Sequence, residues 1–214
     1  MALTVAANPI VSPLTGRDTQ AASTGVYFVA INPTAGTGIV GPVSTTFDEA
    51  KALMTVYNSS TTVTIYPLAL ALHVTVVGTT GTRQNFTHTI DDGNRYSSGG
   101  TALTTANTNS GSTTASAATI TFGALVTTAA SGSRRLLGNN QIREAAIEIV
   151  GDRYEWNFGG AQSQSGSRVA TVADFHQSLP SVAIAPGDTW VLHHWRGAIT
   201  VGVTFEANFS YLER

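Results

Sequence analysis

An all-β fold, an antiparallel β-sandwich, is what this 214-residue sequence predicts, and three observations carry the prediction. Short runs of β-branched and aromatic residues alternate with turn clusters along most of the chain. No rhythm of strand, long amphipathic helix and strand occurs. Charged residues make up only 11%, against roughly a quarter in an ordinary soluble protein, and Thr, Ser and Asn fill the polar quota. A chain of this length buries a self-sufficient core, so one domain, residues 25–214, is expected behind an extended N-terminal arm, residues 1–24.

The arm carries Pro9, Pro13 and Gly16 in a polar–apolar mixture. That mixture suits neither a central strand nor a free tail, and it predicts docking outside the arm's own subunit. Residues 26–31 (VYFVAI), closed by Asn32-Pro33, and 53–58 (LMTVYN), closed by Ser59-Ser60, are predicted strands. Residues 63–78 (VTIYPLALALHVTVVG) are long enough for two strands, and Pro67, with no N–H for a ladder, marks an edge, bend or bulge.

Residues 85–96 (NFTHTIDDGNRY) put Phe86, His88 and Ile90 on one face and Thr87 and Thr89 on the other. This predicts a half-buried strand turning at Asp92-Gly93. Residues 97–117 hold one large apolar residue, Leu103, and predict a mobile surface loop with room for a short strand.

Strands are then expected at ATITFGALV (118–126), QIREAAIEIV (141–150), RYEWNF (153–158), SVAI (181–184), TWVLHHW (189–195) and ITVGVTFEANFSYL (199–212). Residues 46–54 (TFDEAKALM) and 139–150 (NNQIREAAIEIV) compete as helices. In the second, the alternation of Ile147 and Ile149 and the Gly151-Asp152 pair favour a strand that turns back as a hairpin into residues 153–158. Many short strands with turn-rich connections make a jelly roll the expected form of the sandwich.

The densest chemistry lies in SVAIAPGDTWVLHHWRGAIT (181–200), with adjacent histidines and two of the three tryptophans. On a strand, successive side chains point to opposite faces. His193 therefore shares a face with Val191 and Trp195, and His194 with Trp190, Leu192 and Arg196, so the pair cannot grip one metal. Pro186 presets φ, Gly187 supplies a positive φ and Asp188 accepts backbone N–H bonds, which together predict a turn. Asp91 and Asp92 diverge on their strand, and His73, His88 and His176 lie far apart in sequence.

No nucleophile elbow, phosphate loop or dinucleotide fingerprint occurs. The absence of cysteine excludes thiolate chemistry. No catalytic residue, cofactor or metal is therefore expected. A net charge of −2 with scattered arginines excludes nucleic acid as a partner. No apolar run approaches the ~18 residues of a membrane span, and no leader is visible, so a soluble product of a cytoplasm is expected. The glycosylation-type sequons at Asn58, Asn85 and Asn208 arise by chance in a chain this rich in Asn, Ser and Thr.

The opening MALTVAANPIVSPLTGRDTQAASTG, the strand IYPLALALHVTVVG, the motif DDGNRYSSGG and the closing IAPGDTWVLHHW resemble a group of tailed-bacteriophage virion proteins. The resemblance implies a capsid decoration, or cement, protein: a jelly-roll homo-trimer seated on the outer surface of the head, bridging copies of the major capsid protein. It implies no catalytic residue. A neutral surface suits packing against identical copies. The alternative is a receptor- or carbohydrate-binding jelly roll of a head or tail fibre, in which Trp156, Trp190 or Trp195 would stack on cell-surface sugars; alternating strand positions instead favour packing these rings in a core or interface. A cupin-like enzyme would need histidines and a carboxylate converging inside the sandwich, which the strand faces oppose.

Overall fold

The computed structural model describes residues 17–79, 83–127, 134–143, 148–160, 163–169 and 172–214. A short helix, α1 (Arg17–Ser23), precedes β1 (Tyr27–Ile31), β2 (Ile39–Val40), β3 (Lys51–Asn58), β4 (Ile65–Val76), β5 (Arg83–Asp91), β6 (Tyr96–Ala102) and β7 (Thr104–Asn107). Then follow β8 (Ala118–Thr127), β9 (Arg135–Arg143), β10 (Arg153–Phe158), β11 (Ser163–Val169), β12 (Val172–Leu179), β13 (Thr189–Trp195) and β14 (Thr204–Glu213). The fold is all-β, with two sheets in a sandwich-like arrangement. One sheet runs β11-β12-β10-β4-β14-β1-β7, with β2 also paired to β14; the other runs β6-β8-β3-β13-β5-β9.

Alternation of side chains builds the core between the sheets. In β14, Phe205, Ala207, Phe209 and Tyr211 are buried, while Glu206, Asn208, Ser210 and Leu212 face outward with partial exposure. β4 does the same with Leu70, Leu72 and Val74 inside and Ala69, Ala71 and His73 outside. Residues 63–78 thus form one strand, not two. Pro67 lies at a bulge: Ser210 pairs with Ala69 and Tyr211 with Pro67, leaving Leu68 as the extra residue. The missing N–H of Pro67 is tolerated inside the sheet because the ladder is already interrupted there.

Several expectations are corrected by tertiary pairing. Within the arm, residues 1–16 lie outside the described residues, but Arg17–Ser23 is helical rather than extended. Its end is set by Gly25 at φ 72°, by Val26 N donating to Ala21 O at 3.1 Å and by Asn109 Nδ2 donating to Ser23 O, and Ala21 is buried. Residues 97–117 are not simply a loop. β6 and β7 become edge strands of the two different sheets, and the chain crosses between sheets at Leu103, whose side chain enters the core.

Nor do the described parts of residues 141–150 pair with residues 153–158 as a hairpin. β9 ends the six-stranded sheet at Arg143, and β10 joins the eight-stranded one; Ile147 lies outside the described residues. The pairing is not wholly antiparallel either. β10 and β12 run parallel, from Arg153↔Asp174 to Phe158↔Leu179, because β11 takes the edge beyond β12 and returns the chain to its original direction. Residues 181–184 contribute only the bridge Ile65↔Ile184.

The two sheets differ on their outer faces. The strand of residues 85–91 is buried on both faces, not half-buried: Thr87, Thr89 and Asp91 on its outer side are as enclosed as Phe86 and His88 on its inner side. Around them, Phe47 covers His193 with ring centroids 5.1 Å apart, Tyr96 packs on Ala52, Leu125 and Val191, and Arg95 pairs with Asp91 at 3.1 Å. The outer face of the eight-stranded sheet, along β14, β4 and β10, carries partly and fully exposed polar side chains instead.

Candidate functional site

The residues singled out by sequence are placed mainly inside. Trp190 and Trp156 are fully buried, and Trp195 is half-buried with Nε1 donating to Thr87 Oγ1 at 3.4 Å. His194 packs on Phe86 and Phe205, and its Nε2 lies 2.5 Å from Gln84 Oε1. Gln84 Nε2 donates to Glu148 at 2.7 Å, and Glu148 also pairs with the buried Arg196 and accepts Gly78 N at 2.6 Å. This network staples the end of β13 to the turn after β4 and to the segment before β10.

His88 sits among Trp156, Phe158 and Trp190, fully buried, and neither ring nitrogen has a hydrogen-bond partner among the described residues. Burial holds His88 and His194 down at a pKa of about 3, with His193 and Arg196 respectively adding repulsion. Burial likewise lowers His193 to about 4, opposed by a hydrogen bond with the Lys51 carbonyl and helped by Arg95 and Arg134. These imidazoles are neutral packing groups. His193 and His194 do point to opposite faces, and among the described residues no group of three or more His, Asp or Glu converges to hold a metal.

Gly187 adopts φ 83°, and Asp188 N closes the turn on Ala185 O at 3.0 Å. The carboxylate of Asp188 reaches across to the neighbouring turn at Gly93, whose N–H it accepts, beside Asp92. Partial burial and that neighbouring carboxylate raise its pKa. Gly187→Val should destabilise by about 1–2 kcal/mol, the penalty of placing a β-carbon in the left-handed region, because no neighbouring atom lies close enough to add a clash. Denaturant midpoints of the two proteins measure it.

The open face presents different chemistry. Cross-strand register sets the outward residues in rows over β14, β4, β10 and β12: Glu206, His73, Arg153 and Asp174; Asn208, Ala71, Glu155 and His176; Ser210, Ala69, Asn157 and Ser178. The second and third rows have alanine on β4 between longer polar side chains, which makes a trough. Among the described residues, hollows follow this face at three places. One of about 250 Å³ lies by His73, Glu206 and Ile31, and one of about 200 Å³ lies over Ala69 and Ala71. The third, of about 480 Å³, opens at the β4 bulge beside Tyr66, Leu68 and Phe158.

The walls are ordered by ion pairing. Arg153 pairs with Glu155, and His176 lies between Glu155, 2.5 Å from Nδ1, and Asp174, 3.4 Å from Nε2. Partial burial lowers the pKa of His73, and Arg153 lowers it further against the pull of Glu206 and Asp174. His73 and His176 thus share one face but stand two strands and one row apart. Sequence reasoning missed this trough. Its only signal was the alternation Leu68-Ala69-Leu70-Ala71-Leu72, which reads as a strand apolar on both faces until the neighbours are known.

Fold and surface together define a two-sheet β-sandwich with a polar groove on one open face and with His88, His193 and His194 enclosed. Comparison with protein families, curated proteins and solved structures finds no match.

Proposed function

We propose that the chain is a non-enzymatic structural protein of a tailed-phage virion, a jelly-roll subunit that binds the outer capsid surface as a homo-trimer and reinforces the head. The observation that carries this reading is where the polar chemistry goes. His88, His193, His194, Glu148 and Arg196 are all enclosed within the fold, whereas the exterior is rich in hydroxyls and amides and dotted with exposed apolar residues such as Val40, Val76, Leu136 and Val201. A surface of this kind packs against copies of itself and a protein partner with little charge to desolvate. The turn and strand-end motifs DDGNRYSSGG and IAPGDTWVLHHW, by which the sequence resembles virion proteins, support the same reading.

The test has two parts. Light scattering at micromolar concentration should give three times the 22.2 kDa subunit mass, and the protein should co-sediment with shells of its parent phage stripped of accessory proteins. Removal of residues 1–16 should weaken that binding while the melting temperature stays unchanged. A monomer that ignores stripped shells would overturn the proposal.

A further inference from the structure

We infer that the groove over β4 is a binding site for a neutral saccharide chain, a property independent of any seat on a capsid. Alanine is depleted from strands, yet it occupies two successive outward positions, Ala69 and Ala71, of the longest strand. The strands on both sides raise polar side chains at the same level: Asn208 and Ser210 from β14, Glu155 and Asn157 from β10. The walls therefore stand two strand spacings apart, roughly 9–10 Å, above a floor of methyl groups.

A pyranose has the complementary division, an apolar C–H face and a rim of hydroxyls. Set on the alanines, such a ring would meet the amides of Asn208 and Asn157, which donate and accept, and the Glu155 carboxylate, which accepts from sugar hydroxyls. Tyr66, 37% exposed, offers an aromatic face at one end. From Tyr66 to His73 the strand advances about 23 Å at ~3.3 Å per residue, which accommodates several linked sugars and not just one. Arg153 is neutralised by Glu155 within the wall, so the groove favours an uncharged chain. An extended peptide fits less well, because peptide recognition by a sheet uses an unpaired edge, and β4 is hydrogen-bonded on both sides.

The experiment titrates the full chain calorimetrically with hexamers of β-linked glucose, α-linked mannose and β-linked galactose. Two variants, Ala71→Trp and Asn157→Ala, are included, with folding checked by thermal melting. One of the hexamers should bind. Ala71→Trp, which fills the floor from the solvent side, should abolish binding, and Asn157→Ala should weaken it roughly five- to tenfold, the weight of one hydrogen bond. Exchange of the exposed Val201 for Ser, away from the groove, should change nothing. Absence of binding for all three hexamers at about 10 mM, a concentration that detects even millimolar affinity, would overturn the inference. So would undiminished binding by Ala71→Trp. If Ala71→Trp instead converts an oligomer to monomers, the groove is a contact between copies and the saccharide assignment falls.

Discussion

Lowering the pH from 7 to 5 should destabilise this protein by roughly 5 kcal/mol, with buried neutral histidines as the source. His88, His193 and His194 are enclosed on the paired strands β5 and β13, with folded pKa values of about 3, 4 and 3 against 6.5 when exposed. Between those limits the unfolded chain binds protons that the folded one refuses. Stability is therefore complete above about pH 6.5 and declines as pH falls, by about 1.4 kcal/mol per histidine per unit. All three folded values lie at 4 or below, so the loss at pH 5 depends mainly on the unfolded value.

The neighbours reinforce the effect. Nearby groups add repulsion against each proton: His193 at His88, Arg196 at His194, and Arg95 and Arg134 at His193. Asp188, whose pKa is raised, works the other way and offsets a part. Denaturant midpoints taken at half-unit steps from pH 7 to 5 measure the slope, and His88→Phe should remove about a third of it. A midpoint that does not move over this range would refute the account. Against a total stability of about 5–15 kcal/mol, the loss is a third of the whole or more.

Trp190→Ala should cost roughly 3–5 kcal/mol, the usual range for deleting a large buried aromatic side chain. Trp190 is fully buried and stacks on Phe209, with centroids 6.0 Å apart and planes 7° from parallel, while Phe158 meets it edge-on at 5.7 Å. The ring thus joins β13 in one sheet to β14 and β10 in the other. Its removal leaves a cavity that two sheets, each held by its own ladder, cannot collapse to fill. Nε1 has no hydrogen-bond partner among the described residues, so the loss is one of packing and not of a hydrogen bond, and Trp190→Phe should recover most of it. Chemical denaturation of the three proteins distinguishes them; a Trp190→Ala variant within 1 kcal/mol of the parent would contradict the assignment.

Legibility followed the range of the interaction. The β13 strand, its preceding turn and the opposite faces of His193 and His194 were all readable, because each depends on residues within a few positions. The role of Asp188 was misjudged: its carboxylate caps the turn at Gly93 from a distant part of the chain, not its own turn. β6 and β7 were hard to read because their glycines, alanines and asparagine carry little strand propensity, and a few threonines do not outweigh them. Ladder partners in β8 and β1 supply what their side chains lack. The groove was hidden for a related reason, since Ala69 and Ala71 acquire walls only when β10 and β14 are set on either side.

The sequence by itself determined the all-β class, the positions of most strands and the inward fate of Trp156 and Trp190, because alternation of side chains and turn chemistry act locally. Tertiary structure decided which strands became neighbours, the parallel β10–β12 pair, the single long β4 with its bulge at Pro67 and the open face where Ala69 and Ala71 lie between polar walls. Those features depend on hydrogen bonds between residues as far apart as Thr64 and Arg214. Side-chain periodicity specifies which face a residue takes but carries no label for the strand that will lie beside it.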